Sequence, residues 1–277
     1  MKFRARIVDV ACIQQFVKVV TTIAKLAKVV AIRFTLDGVF FIVNDDVVGG
    51  GGGVWAEVPQ ESIFQEFNMV GVSEEFNEIY LEVVINNLAS VLKSTDQAKA
   101  VKMKLTKKQT PCLTFEIELA PLTANARTVM HDVPVRVIPR RMWANYVEPS
   151  VGDFSIEVIL PSLRVLKHIV DKMKNLSTCA VMSVSRHGEM TLSAEGDLVT
   201  VTTHFKDLQV PSVGDTGTAN VDSFEARVDL RRFTTLLNGQ NLNPSQVTCK
   251  ITHQKLSHFL FCHDSGTLQY FLPCVYS

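Results

Sequence analysis

Two groups of residues in this 277-residue chain have types and spacings that invite enzymatic or metal chemistry. The segment THQKLSHFLFCH brings His253, His258, Cys262 and His263 close together, as a zinc site or a Cys–His nucleophile pair would. Zinc fingers and ribbons take their ligands as closely spaced pairs with characteristic intervals. Here apolar residues separate the candidates along two strand-like stretches, no pair has such an interval, and a structural role is expected. A Cys–His nucleophile further needs an orienting group and oxyanion donors, and nothing in the neighbouring sequence supplies them. The five glycines Gly49–Gly53 suggest a phosphate cradle. A P-loop closes on Lys-Ser or Lys-Thr at the head of a helix, whereas here the strand-like VWAEVP follows. The run reads as a flexible strand connection. No catalytic residue, metal or cofactor is expected.

The cations are more informative. In CIQQFVKVVTTIAKLAK (residues 12–28), apolar residues recur at Ile13, Phe16, Val17, Val20, Ile23, Ala24 and Ala27. That is the spacing of a helix with one buried stripe. Gln14, Lys18, Thr21, Thr22 and Lys25 gather opposite, on a face with lysines and no acid. PSLRVLKHIVDKMKN (residues 161–175) repeats the design, with Arg164, Lys167, His168 and Lys174 opposite Leu163, Leu166, Ile169, Val170 and Met173. Asp171 interrupts that face. Two shorter helices add Lys93 beside Asn86, Asn87 and Ser90, and Arg231 and Arg232 beside Thr235 and Asn238. One such face alone is an ordinary solvated surface. Four on equivalent helices suit contact with a nucleic-acid backbone, because Lys and Arg on phosphate carry no base information. The balance of 28 basic and 28 acidic residues argues against a binder held by bulk charge alone.

These helices need a frame, and the strand pattern supplies one. MKFRARIVD alternates Phe3, Ala5 and Ile7 with Lys2, Arg4 and Arg6, a half-buried strand feeding the first helix. VVAIRFT and VFFIVND follow as a hairpin turning at Leu36-Asp37-Gly38, then VWAEVP. IYLEVVINNLASVLKS is again a strand entering a helix, followed by AVKMKLT, CLTFEIELA and RTVMHDVPVRV. FSIEVIL, the helix at 161–175, CAVMSVS, EMTLSAE and LVTVTTHFK restart the order. FEARVDLRRFTTLLNG, VTCKITH, LSHFLFC and TLQYFLPCV complete it, with Gly239 read as a helix stop. The result is an α+β protein of two similar domains, residues 1–137 and 154–277, each built from two β-α-β-β-β units. A polar, Pro-bearing connector spans residues 138–153.

The motifs MKFRARIVD, IAKLAK, GVSEEFNEIYLE, HDVPVRVIPRRMW, TTHFKDL and LQYFLP, in that order, resemble the Hus subunit family of the Rad–Hus–Rad (nine-one-one) DNA-damage checkpoint clamp. The likeness runs over essentially the whole chain and is weakest at residues 44–53 and 210–223. It implies the PCNA-like sliding-clamp fold, with helices lining an inner face. It also implies a non-catalytic place in a heterotrimeric ring with two Rad-family subunits, an AAA+ loader, backbone contact with double-stranded DNA, and checkpoint and repair proteins as clients. A homotrimeric replicative clamp of the PCNA type is the competing reading, and the basic strand Lys2–Arg6 and HDVPV fit the checkpoint family better. On this basis Lys18, Lys25, Lys93, Arg164, Lys167, Lys174 and Arg231 are expected to face DNA. Clamp subunits join by pairing strand edges, expected here at residues 127–135 (Arg127, Val129, His131, Val133) and 198–205 (Val199, Val201, Thr203, Phe205). Ile138, Met142, Trp143 and Tyr146 put apolar side chains on the connector, to pin it down or to line a groove for partner peptides. Six scattered cysteines without a C-x-x-C pair read as reduced, which suits a nuclear or cytosolic protein. No apolar run approaches the roughly 20 residues of a membrane helix, so no membrane contact is expected.

Overall fold

The computed structural model describes residues 1–44, 52–120, 127–149, 152–214 and 222–275. The chain forms two compact units, one of Met1–Val43, Trp55–Val147 and Asp264–Thr267, the other of Asn44–Val54, Glu148–His263 and Leu268–Ser277. Connector residues 138–147 therefore pack with the first unit. Gly49–Gly51 fall outside the described residues.

In the first unit β1 (Lys2–Ile7) buries Phe3, Ala5 and Ile7 and turns its cations outward. Asp9 stops the strand and caps the helix α1 (Val10–Leu26), its carboxylate accepting from the Ala11 amide at 2.9 Å. The strands β2 (Val29–Phe34) and β3 (Gly38–Asn44) form a hairpin, with the Thr35 hydroxyl accepting from the amides of Asp37 and Gly38. Then come β4 (Gly53–Pro59), the single turn α2 (Gln60–Ile63) and β5 (Glu66–Val70). A second pass follows: β6 (Ile79–Val84), α3 (Ile85–Leu92), β7 (Ala98–Lys107), β8 (Pro111–Leu119), β9 (Arg127–Pro134) and β10 (Arg136–Val137). One sheet has the order β5-β1-β7-β8-β9 and the other includes β10-β6-β2-β3-β4. Phe3 and Phe115 of the first sheet, Phe34 and Phe41 of the second, Phe16 of α1 and Leu88 of α3 meet at one point of the core. Both helices thus cover the inner side of both sheets.

The second unit repeats this design. It contains β11 (Ile156–Ile159), α4 (Leu163–Met173), β12 (Cys179–Ser185), β13 (Met190–Glu195), β14 (Thr200–Phe205) and β15 (Ser212–Val213). β16 (Ser223–Asp229) runs into α5 (Leu230–Leu236), capped by Asp229, whose carboxylate accepts from the Arg232 amide at 2.9 Å. β17 (Gln246–Thr252), β18 (Leu256–His263) and β19 (Gly266–Pro273) complete it. The strand orders are β14-β13-β12-β16 and β19-β18-β17-β11-β15.

Four details differ from the sequence reading. The α2–β5 insertion was not anticipated, because Phe64 and Phe67 fit neither a clean alternation nor a helical stripe. Residues 127–137 are not one strand, since the chain leaves one sheet after Pro134 and joins the other at Arg136. Gly239 does not stop a helix: a 3-10 run continues from Leu237 to Leu242 and ends at Asn243, at φ 51°. Gly239 is instead needed for space, because an added Cβ would lie 2.6 Å from the Phe261 ring. Finally, the buried stripe of α1 is Ile13, Phe16, Val19, Val20, Thr22 and Ile23. It is rotated from the expected one, so Thr22 lies inside while Val17, Ala24 and Ala27 are only half-buried.

Candidate nucleic-acid interface and assembly edges

In the first unit α1 and α3 pack against each other. Lys18, Lys25 and Lys93 are all exposed, together with Gln14, Asn86, Asn87 and Ser90. Lys25 lies in the last turn of α1 and Lys93 caps the end of α3, where the helix dipole favours positive charge.

In the second unit α4 packs against α5. Arg164 is exposed in the first turn of α4, a turn with no acidic residue and no side-chain cap from Ser162. The dipole disfavours a guanidinium there and favours an anion. Arg231 is exposed on α5. Lys18, Lys25, Lys93, Arg164 and Arg231 have no counter-ion among the described residues. The remaining two are different. Lys167 is half-buried on the flank of α4 and donates to Asn238 Oδ1 at 3.2 Å. Lys174 lies 3.9 Å from Asp171 and shares with Arg231 a cleft of about 400 Å³ that also carries Glu195 and Asp197. Spacing placed all seven on polar faces and Asp171 beside Lys174, but the Asn238 partner of Lys167 and the acids Glu195 and Asp197 near Lys174 are long-range features.

Both expected assembly segments are terminal strands. β9 ends the five-stranded sheet and β14 ends the four-stranded one, each with one strand neighbour among the described residues. Their side chains divide by parity. Arg127 is exposed; Val129 and His131 are half-buried, with His131 Nε2 3.3 Å from the Ser94 hydroxyl; and Val133 is 1% exposed. Val133 is a core residue, so only its main chain is available at this edge. On the other edge Val201, Thr203 and Phe205 are half-buried, while Val199 precedes β14 and is 54% exposed.

The connector is pinned to the first unit. Ile138 is buried and its amide donates to the Tyr80 carbonyl at 2.9 Å. Trp143 donates through Nε1 to the Ile138 carbonyl at 3.0 Å and stacks on Tyr80, with ring centroids 4.5 Å apart. Tyr146 lies at 6.3 Å from the same ring, and the Arg140 guanidinium rests 3.2 Å from the Phe76 centroid. Met142 is half-buried. Beneath this lies a cluster that sequence reasoning missed. Arg33 makes a two-armed contact to Glu78 at 3.0 and 2.8 Å, and its guanidinium lies 5.7 Å from the Tyr80 centroid. Burial alone would raise the Glu78 carboxyl, but hydrogen bonds with Arg33 and Tyr80 hold it below the usual range. Burial first, then the bond with Glu78, pushes the Tyr80 phenol up. The available signal was the alternation of IRF against IYL, which sets Arg33 opposite Tyr80.

Among the described residues no group of three or more His, Cys, Asp or Glu is placed to hold a metal. His258 is buried and bonded to Gln269 at 2.8 Å, and burial lowers its pKa. All six cysteines are free. No helix among the described residues is long and apolar enough to cross a membrane.

This doubled arrangement has relatives. Residues 1–276 match the Hus1-like protein family. The chain belongs to that family. It is 43% identical to the human "Checkpoint protein HUS1" over 99% of this chain and 100% of that protein. A Drosophila melanogaster "Checkpoint protein Hus1-like" is 32% identical over 99% of both chains. Among solved structures, the Proliferating Cellular Nuclear Antigen of Entamoeba histolytica superposes with a TM-score of 0.76 over 99% of both chains at 15% identity. The PCNA of Thermococcus kodakaraensis gives 0.69 at 15% identity, covering 98% of this chain. The Hus1-like chain therefore has the PCNA-like clamp fold.

Proposed function

We propose that this protein is a non-catalytic subunit of a heterotrimeric clamp that encircles double-stranded DNA at damage sites and holds checkpoint and repair proteins there. Two Rad-family subunits would complete the ring, an AAA+ loader would place it on DNA, and the site of action would be the nucleus. The observation that carries the reading is the set of exposed cations Lys18, Lys25, Lys93, Arg164 and Arg231, without a counter-ion among the described residues and present on the helices of both units. Such cations bind phosphate without reading bases, as a sliding ring requires. The α4 N-terminus adds main-chain donors beside Arg164. The free edges β9 and β14 supply the pairing surfaces of a ring. The checkpoint names of the full-length relatives favour this over a homotrimeric replicative clamp.

The test is charge reversal in the reconstituted ring. Each cation that neutralises a phosphate contributes up to ~0.9 to the slope of log affinity against log salt. Lys18→Glu with Lys25→Glu should weaken DNA association and flatten that slope on every sequence alike. Ring assembly should persist, because both side chains are exposed. An intact ring with unchanged affinity and slope would show that these helices do not meet DNA. A stable homotrimer of this chain by light scattering would refute the heterotrimer.

A further inference from the structure

The cations of β1 are left unused by the helix faces. Lys2, Arg4 and Arg6 lie on the side of their sheet away from Phe3, Ala5 and Ile7, and so away from α1 and α3. Register puts Arg4 opposite Lys104 of β7 and Asn68 of β5, and puts Arg6 opposite Lys102 and Glu66. Like charges directly opposite on a sheet are destabilising. The sheet compensates almost all of them. Arg6 reaches Glu66 at 3.5 Å and Glu118 at 3.9 Å, Lys102 reaches Glu118 at 2.6 Å, and Lys104 and Lys108 pair with Glu116 and Asp132. Arg4 and Lys2, both exposed, have no carboxylate partner among the described residues. Beside them Asn68 is exposed, and Val70, opposite Lys2, is 58% exposed.

We propose that this face docks an acidic peptide segment of a partner protein, with carboxylates on Arg4 and Lys2 and an apolar side chain against Val70. A guanidinium accepts a carboxylate with two parallel hydrogen bonds, and Asn68 adds an amide donor next to it. The shape of the charge pattern selects the ligand. Arg6 and Lys104 are already taken by Glu66 and Glu116, so the open positive charge is confined to Lys2 and Arg4 and offers a continuous track of phosphates no further cation. A short segment with a few negative charges fits the gap; a duplex, which needs an unbroken cationic surface, does not. This rests on one sheet and holds whatever meets the helix faces.

The probe is a fluorescein-labelled, Glu-rich dodecapeptide with one central Leu, titrated with the full chain and read by anisotropy. Binding should weaken with added salt. Lys2→Gln with Arg4→Gln should weaken it by about threefold to thirtyfold, while Lys18→Gln with Lys25→Gln leaves it intact. Melting of the Arg4→Gln variant should match the unmodified protein, because Arg4 is exposed and has no ion pair among the described residues. The proposal fails if the peptide does not bind, if the Lys2/Arg4 variant binds it equally, or if a Gln-for-Glu peptide binds as well. It also fails if short duplex DNA displaces the peptide and loses affinity with Arg4→Gln, which would assign the face to nucleic acid.

Discussion

Replacing Trp143 by Ala tests whether the connector is held by its own contacts. The half-buried indole hides about 100 Å² of the 150–250 Å² such a side chain can bury. At about 25 cal/mol per Å² that is roughly 2.5 kcal/mol. Its stack on Tyr80 is worth about 0.5–1.5 kcal/mol more, and the bond to the Ile138 carbonyl about 1 kcal/mol. Freed connector entropy offsets part of this, leaving a loss of about 2–4 kcal/mol. For a unit of this size the melting temperature should fall by about 6–12 °C. The assay is convenient, because the chain has two tryptophans and the other, Trp55, is buried at 2% exposure. The Trp143→Ala variant therefore reports unfolding of the first unit through Trp55 alone, with circular dichroism as the second probe. Trp143→Phe keeps the stack, loses the hydrogen bond and should cost about 1 kcal/mol. A Trp143→Ala protein that melts with the unmodified one, or a Phe variant as weak as the Ala variant, would show that these contacts do not hold the connector.

Two further substitutions probe the core and the cluster under the connector. Glu78→Gln should cost about 1–2 kcal/mol at neutral pH in denaturant titration, since it removes the carboxylate that Arg33 grips. The carboxyl is depressed in the folded state, so its contribution is complete above the ordinary Glu value near 4.3 and is lost as pH falls through the lower folded value. The gap between Glu78→Gln and the unmodified protein should narrow below about pH 4, and a gap constant with pH would refute the assignment. Gly239→Ala should destabilise the second unit by about 1–3 kcal/mol by thermal melting, because the new methyl meets the Phe261 ring. A neutral or stabilising result would mean the ring moves freely aside.

What could be read from residues alone follows from the range of each interaction. The helices were legible because their apolar periodicity is local, and Lys18 and Lys25 were legible because charge marks the outer face. Thr22 was misplaced because residue type was allowed to outvote geometry; its position beside Val19 and Ile23 puts it inside. The Arg33–Glu78 pair joins residues 45 apart, and the Lys167–Asn238 bond joins residues 71 apart. No local pattern announces either. The expectation of edges at residues 127–135 and 198–205 rests on the resemblance to clamp subunits and not on any local pattern, whereas the burial of Val133 depends on which parity meets the core, and the residue types of DVPV do not declare it.

The passage of the chain from β9 to β10 has a mechanical consequence. Val133 and Val135, at 1% and 8% exposure, are both seated in the core on either side of Pro134, and Ile138 is anchored three residues further on. A strand can slide only in steps that turn its inward side chains outward. Here a one-residue slide would expel two valines and leave Pro134 in their place. β9 is therefore indexed from within, like a ruler clamped at one end. Any strand laid along its free side finds the main-chain donors and acceptors at preset positions. The alignment of that junction is set by residues the incoming chain never touches.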